Sequence, residues 1–309
     1  MSYYEKEYRR RISLGQSGNT LIILIAINLV LFVIFSFVKL VYYFNHGNPQ
    51  GLALYNENVL PWFTLSADTD KILSRPWTIL THMFLHGGLW HIFANMLWLW
   101  VFGYILQDLT GNRKIIPIFI YGGLAGAAAF VLAFNFLPAL KPELHVASAL
   151  GASAGVMAIA IATTMVAPGY RIFPMLRGGI ALWVLTMLYV IIDLATIPFS
   201  NPGGHIAHLA GAFTGFLFIF FLRRGYDWSE WMANFFDWVG NLFNPDKPKK
   251  GKHIKDELFY KASSTPYKKT SNITQQRIDE ILDKINQKGY SFLTDEEKEL
   301  LKRAGKEDL

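Results

Sequence analysis

The chain contains no cysteine, which excludes disulfides, thiolate metal sites and a cysteine nucleophile while leaving the redox compartment open. Charge is scarce as well: 17% of the 309 residues are charged, against 52% hydrophobic and 15% aromatic. With a mean hydropathy of +0.26, this composition is too apolar for an ordinary soluble domain and excludes disorder over most of the chain. No H-E-x-x-H pattern occurs, and no basic-aromatic recognition module is present. Neither a metal, nor another cofactor, nor a nucleic-acid partner is therefore expected.

The charge that is present lies unevenly. Residues 1–224 hold 14 Lys+Arg against 8 Asp+Glu, whereas residues 225–309 hold 15 of each, so the net +6 belongs to the first part. That part reads as membrane and the remainder as water, and the high pI reflects juxtamembrane basic residues.

A spanning helix needs about 20 mainly apolar residues to cross roughly 30 Å of hydrocarbon. Six segments qualify: Thr20–Val38, Leu89–Leu106, Ile115–Leu137, Ala149–Val166, Ile180–Thr196 and Gly204–Leu222. Turn and charge signals such as Gly111-Asn112-Arg113-Lys114, Pro168-Gly169 and Pro202-Gly203 separate them. The first is too long for a signal h-region and is not followed by a small-residue cleavage site.

With the N-terminus inside, inner segments hold Lys6, Arg9, Arg10, Arg11, Arg113, Lys114, Arg171, Arg177, Arg223 and Arg224, and outer ones Lys39, Lys71, Arg75 and Lys141. The asymmetry predicts both termini in the cytoplasm. Predicted helices two, four and six then all begin at the outer face. The first external loop, about 40–88, carries Trp62, Phe63, Trp77 and Phe84 and is expected to form interfacial helices.

Polar side chains in hydrocarbon are costly, so three clusters are functional candidates. Gly151-Ala152-Ser153-Ala154-Gly155 is a G-x-S-x-G pattern, but no strand is expected before it, and taken alone its small residues are better read as suiting close helix packing. In the second cluster Ala207, Gly211 and Gly215 recur every four residues beside His208, whose imidazole could take a proton from a serine. His205 reads as a loop or cap residue. The third pairs His91 and Asn95 at i, i+4, donors that could bind an oxyanion or simply hold helices together. His82 and His86, also i, i+4, could be imagined with His91 as a metal site, but no carboxylate accompanies them.

Together Arg75-Pro76-Trp77 through His82-Met83-Phe84-Leu85-His86, His91-x-x-x-Asn95, Gly151-Ala152-Ser153 and Ala207-His208-x-x-Gly211-x-x-x-Gly215 resemble the rhomboid intramembrane serine proteases over about residues 20–224. The resemblance implies an all-α membrane protein with a six-helix bundle. It also implies Ser153 as nucleophile, His208 as general base and acid, and His91, Asn95 and the Ser153 N–H as oxyanion hole. Gly151, Gly155, Gly211 and Gly215 support helix packing. Substrates would be membrane-anchored proteins, cut near the outer face by a Ser-His dyad, and the expected home is the bacterial cytoplasmic membrane.

Departures from the family pattern are Thr78 after Trp77, Ala154 after the serine, and Met157 where some members carry an aromatic that stacks on the histidine. Asp193 invites a triad, but an aspartate near the interface can be hydrated and the family uses a dyad, so a structural role is expected.

The chain is thus read as a cytoplasmic segment 1–19, a membrane domain 20–224, an interfacial amphipathic helix 225–244, a basic linker 245–272 and a small helical hairpin 273–309. In the hairpin Ile278, Ile281, Leu282 and Ile285 form one face, Lys288-Gly289 ends the helix, and Thr294-x-x-Glu297 offers a capping box. It is expected to dock a cytoplasmic partner of unknown identity. The alternative to a protease is a rhomboid-like protein that binds transmembrane segments without cutting them. A histidine-lined transporter is disfavoured by the lack of an internal repeat.

Overall fold

The computed structural model describes residues 19–172, 178–240 and 275–304. Lys6, Arg9, Arg10, Arg11 and Arg177 of the charge asymmetry, and the basic linker 245–272, lie outside the described residues. The chain divides into two units, Met1–Phe243 and Asn244–Leu309.

The first unit is helical. Its elements are α1 (Thr20–His46), α2 (Gln50–Asn58), α3 (Thr69–Ser74), α4 (Thr78–Thr81), α5 (Leu89–Thr110), α6 (Ile115–Phe136), α7 (Ser153–Val166), α8 (Leu182–Thr196), α9 (Pro202–Leu222) and α10 (Glu230–Gly240). Two antiparallel pairs of short strands join them, β1 (Leu65–Ser66) with β2 (Ser148–Ala149), and β3 (Arg171–Ile172) with β4 (Ile180–Ala181).

Four helices are long and apolar enough to cross a membrane, Thr20–His46, Leu89–Thr110, Asn112–Phe136 and Pro202–Leu222, so this is a helical integral membrane protein. α7 and α8 are apolar but shorter, with 14 and 15 residues, or about 21–23 Å of helix.

Several predicted boundaries shift. α1 runs on to His46, two turns past Val38, because nothing in Lys39–Phe44 breaks a helix. Ala149 is not helical: it pairs with Leu65 in the β1–β2 ladder, so a strand does precede the G-x-S-x-G pattern. Ile180 likewise belongs to β4 rather than to α8. α9 starts at Pro202, where a proline sacrifices no hydrogen bond, and Asn201 caps it in a left-handed conformation (φ 41°) with its side chain accepting from the Gly204 N–H at 3.2 Å.

α7 is the centre of the bundle and packs against α5, α6, α8 and α9. Glycines make this possible. A Cβ on Gly122 of α6 would lie 2.3 Å from the Ala158 Cβ, and one on Gly126 2.6 Å from the Ala154 Cβ. On α9, Gly211 and Gly215 would each place a Cβ 2.1 Å from a carbonyl of α7, those of Ala154 and Ala158. A Cβ on Gly155 would lie 2.7 Å from both the Phe119 ring and its carbonyl oxygen. Close approach of backbones gains dispersion where lipid offers no hydrophobic drive between helices.

The segment between α1 and α5 folds as short elements over one end of the bundle. Trp62 and Trp77 stack with centroids 6.3 Å apart, Trp77 Nε1 donates to the Trp62 carbonyl, and the Arg75 guanidinium lies 4.1 Å over the Trp62 ring. Two hydrogen bonds stitch the segment to the chain entering α7: Ala67 N–H donates to the Ala147 carbonyl and Gly151 N–H to the His82 carbonyl.

On α10, Trp231, Phe235 and Trp238 point outward at i, i+4, i+7 while Met232 is buried. In the predicted face, Leu242 and Phe243 lie outside the described residues. Lys114 pairs with Asp227 and donates to Ser229 Oγ at 2.8 Å, tying the start of α6 to the turn before α10.

In the second unit, helices Gln275–Lys288 and Asp295–Ala304 are joined through Gly289 (φ 87°). Ile278, Ile281 and Leu293 are buried, whereas Leu282 is exposed, so the apolar face is narrower than predicted. The capping box forms in both directions, Thr294 N–H to Glu297 Oε2 at 2.8 Å and Glu297 N–H to Thr294 Oγ1 at 3.3 Å.

Candidate active site

Ser153 is the first residue of α7, and two backbone features aim it. β2 brings the chain in extended, and Gly151 turns it with φ 131°, a conformation that favours glycine. The same glycine makes room: a Cβ there would sit 3.0 Å from the His91 ring and 3.6 Å from Ser153 Oγ. At a helix start the first N–H groups have no intrahelical acceptor, so the Ser153 N–H lies at the positive end of the α7 dipole.

His208 stands in the second turn of α9, and its Nε2 lies 2.6 Å from Ser153 Oγ. The glycine contacts of α9 with α7 set that distance, because Gly211 is one turn beyond His208 and rests on the carbonyl of Ala154. Ser153 and His208, 55 residues apart in sequence, therefore meet directly.

His91 lines the same cavity from the first turn of α5. Gly87 N–H donates to His91 Nδ1 at 3.4 Å, which leaves the proton of a neutral ring on Nε2, the atom facing Gly151 and Ser153. Asn95 is placed differently. It is buried one turn deeper, its Nδ2 donates to the His91 carbonyl at 2.9 Å, and it does not line the cavity.

The cavity measures about 300 Å³ and is lined by Ser153, His208 and His91 together with His82, Asn201 and Phe130. His82 is buried, and its Nδ1–H donates to the Thr78 carbonyl at 3.0 Å. His86 packs its ring against His91 with centroids 5.1 Å apart. Burial holds both His82 and His86 well below the usual histidine range, at about 4, so both are neutral at pH 7. They thus stand beside the site as uncharged supports, and His82, His86 and His91 do not converge as a metal-ligand set.

Two features depart from the reading of the sequence. Asp193 is not hydrated: it is 2% exposed near the end of α8, and its Oδ1 lies 3.1 Å from His208 Nδ1 and 2.6 Å from His205 Nδ1. His205 is accordingly a partner of Asp193 inside α9 rather than a loop residue. Secondly, Met157 is fully buried in the core, and the aromatic beside His208 is Tyr189 of α8, with ring centroids 6.3 Å apart. The spacing of Tyr189 and Asp193, four residues apart on one helix face, was the available signal.

Asp193, His205 and His208 offer three metal-ligating atoms within 4.8 Å of one another. Their separations of 2.6 and 3.1 Å are hydrogen-bond lengths, and the same lone pairs and protons cannot serve a metal at the same time. As it stands, the set can relay hydrogen bonds from a carboxylate through an imidazole to a hydroxyl. Such a chain activates an oxygen nucleophile.

The chain is similar in sequence to known proteins. Residues 73–225 match the Rhomboid domain, and residues 265–307 match a family of unknown function (DUF6576). Over 157 residues the chain is 27% identical to RHOMBOID-like protein 7 of Arabidopsis thaliana, covering 50% of this chain and 46% of that protein. Over 70 residues it is 33% identical to Rhomboid protease GlpG of Salmonella newport (strain SL254), covering 22% and 25%. The matched stretch thus spans less than half the length of either relative. With its Rhomboid domain running from just before α4 to the end of α9, the chain belongs to the rhomboid family.

Proposed function

We propose that this protein is an intramembrane serine endopeptidase acting on membrane-anchored protein substrates. The observation that carries the reading is the 2.6 Å contact between Ser153 Oγ and His208 Nε2 at the helix ends bordering an apolar bundle. A serine and a histidine held so in hydrocarbon have little value for stability alone.

In this reading the Ser153 hydroxyl attacks a substrate carbonyl as its proton passes to His208 Nε2. The oxyanion of the tetrahedral intermediate accepts from the His91 Nε2–H and the Ser153 N–H, and Asn95 contributes by orienting His91 or by a side-chain rotation. His208 returns the proton to the leaving amine, and water then hydrolyses the acyl-enzyme. The substrate segment must be unwound to expose its carbonyl, since an intact helix hides it.

α7 and α8 complete six spans in this proposal, the short α7 reaching the outer face through residues 148–152. Both termini are cytoplasmic, the site opens outward, and the membrane is the bacterial cytoplasmic one. α10 lies in the inner interface with Trp231 and Trp238 against lipid. The hairpin at the C-terminus docks a cytoplasmic partner.

The test is cleavage of a single-span substrate in liposomes by wild type, Ser153→Ala and His208→Ala, all shown to be folded and equally inserted. Cleavage by wild type alone supports the dyad. Binding without cleavage by wild type makes the protein a non-catalytic receptor for membrane helices, and cleavage by Ser153→Ala moves the nucleophile elsewhere.

A further inference from the structure

Burying a carboxylate inside a membrane bundle is expensive unless hydrogen bonds or opposite charge compensate it. Asp193 is buried without any Lys or Arg partner among the described residues, and both of its side-chain hydrogen bonds end on histidines of α9. An ionised carboxylate only accepts, so with Asp193 in that form His208 Nδ1 and His205 Nδ1 each carry a proton. On His208 that leaves Nε2 with a lone pair, and Nε2 is the atom 2.6 Å from Ser153 Oγ.

Four groups, Ser153 on α7, Asp193 and Tyr189 on α8 and His205 on α9, surround the His208 ring. Tyr189 and His205 meet it at interplanar angles of 64° and 87°, which limits rotation of the ring. Asp193 Oδ2 is buried and has no hydrogen-bond partner among the described residues, so the carboxylate is anchored through Oδ1 alone.

We propose that Asp193 is a positioning residue for His208: it fixes the tautomer whose Nε2 accepts from Ser153 and lies beside the imidazolium formed when Ser153 gives up its proton. His205, with the shorter bond, holds the carboxylate in place. The proton moves only between Ser153 Oγ, His208 Nε2 and the leaving amine, and none is transferred to Asp193. This rests on the proposed protease activity and adds a third member to the dyad.

The experiment compares wild type, Ser153→Ala, Asp193→Asn and His205→Asn on one membrane substrate. The expected result for Asp193→Asn is a fall in kcat of at least ~100-fold with KM unchanged, because the change acts on proton transfer and not on substrate binding. His205→Asn should lower kcat less. Equal kcat in Asp193→Asn and an active wild type overturns this proposal while leaving the protease reading intact. An inactive wild type indistinguishable from Ser153→Ala overturns the protease reading itself.

A second measurement needs no variant. Nitrogen NMR of histidine-labelled wild type should show His208 protonated at Nδ1 and not at Nε2 in its neutral form. The opposite tautomer overturns the proposal even if Asp193→Asn fails to fold.

Discussion

The α-carbon of Gly211 rests on the carbonyl oxygen of Ala154 so closely that a methyl group on Gly211 would come within 2.1 Å of it. Ala154 follows Ser153, and Gly211 lies one turn beyond His208, so a single backbone contact governs the distance between the two proposed reacting groups. Gly211→Ala must push α9 from α7. We expect a loss of about 1–3 kcal/mol of stability from overpacking and a much larger proportional loss of cleavage. Thermal denaturation in detergent and substrate cleavage on the same preparation check this; full activity with an unchanged midpoint would mean that the helices are not held at this separation.

Gly151 should behave differently. Its φ of 131° strains any side chain, and the added Cβ would meet the His91 ring at 3.0 Å. Gly151→Ala is expected to abolish cleavage while costing about 1–3 kcal/mol, the range for a residue forced into a sparsely populated conformation. Retained cleavage would show that the turn before α7 does not set the serine.

Acid should weaken the fold through His82 and His86. Both are held near 4, by burial first, assisted at His86 by the neighbouring His91 and opposed at His82 by its hydrogen bond to Thr78. Against an unfolded value of about 6.5, the unfolded chain binds more protons between these limits, so the stabilisation is complete above about pH 6.5 and is lost as pH falls toward 4. Between pH 7 and pH 5 the expected loss is about 2 kcal/mol per histidine. Melting midpoints across this range measure it, and His86→Leu should flatten the slope; a midpoint independent of pH would contradict it.

Cleavage should be indifferent to chelators. Asp193, His205 and His208 could supply three ligands, but their polar atoms are already engaged with one another and with Ser153. Incubation with EDTA followed by assay is expected to leave the rate unchanged. A fall reversed by added zinc would assign the trio to a metal.

In the C-terminal unit, Thr294→Ala removes the acceptor of the Glu297 N–H. Losing such a cap costs about 1 kcal/mol, so amide exchange across Asp295–Ala304 of the full chain should speed roughly fivefold. Unchanged exchange would show that the Lys284–Glu297 pair, 2.8 Å apart, suffices to hold this helix.

Much of this was legible in one dimension because it depends on local periodicity and charge. Apolar run length located the helices, the i, i+4 glycines of α9 announced a close helix neighbour, and Thr294-x-x-Glu297 announced its cap. The family is carried by motifs short enough to read directly. Boundaries failed where long-range pairing overrides local preference: nothing in Ser148–Ala149 signals that Leu65–Ser66, more than 80 residues earlier, will draw it into a ladder and place a strand before Ser153.

The burial of Asp193 was decided by the tertiary structure. Its distance from water follows from how α8 packs on α7 and α9, and an aspartate near a helix end reads the same whether lipid, water or two imidazoles surround it. The replacement of an aromatic at Met157 by Tyr189 has the same cause. Residue type and spacing determine which groups are available to react; which of them come within hydrogen-bond length, and which are shut away from solvent, depends on packing between segments that the chain order does not encode as neighbours.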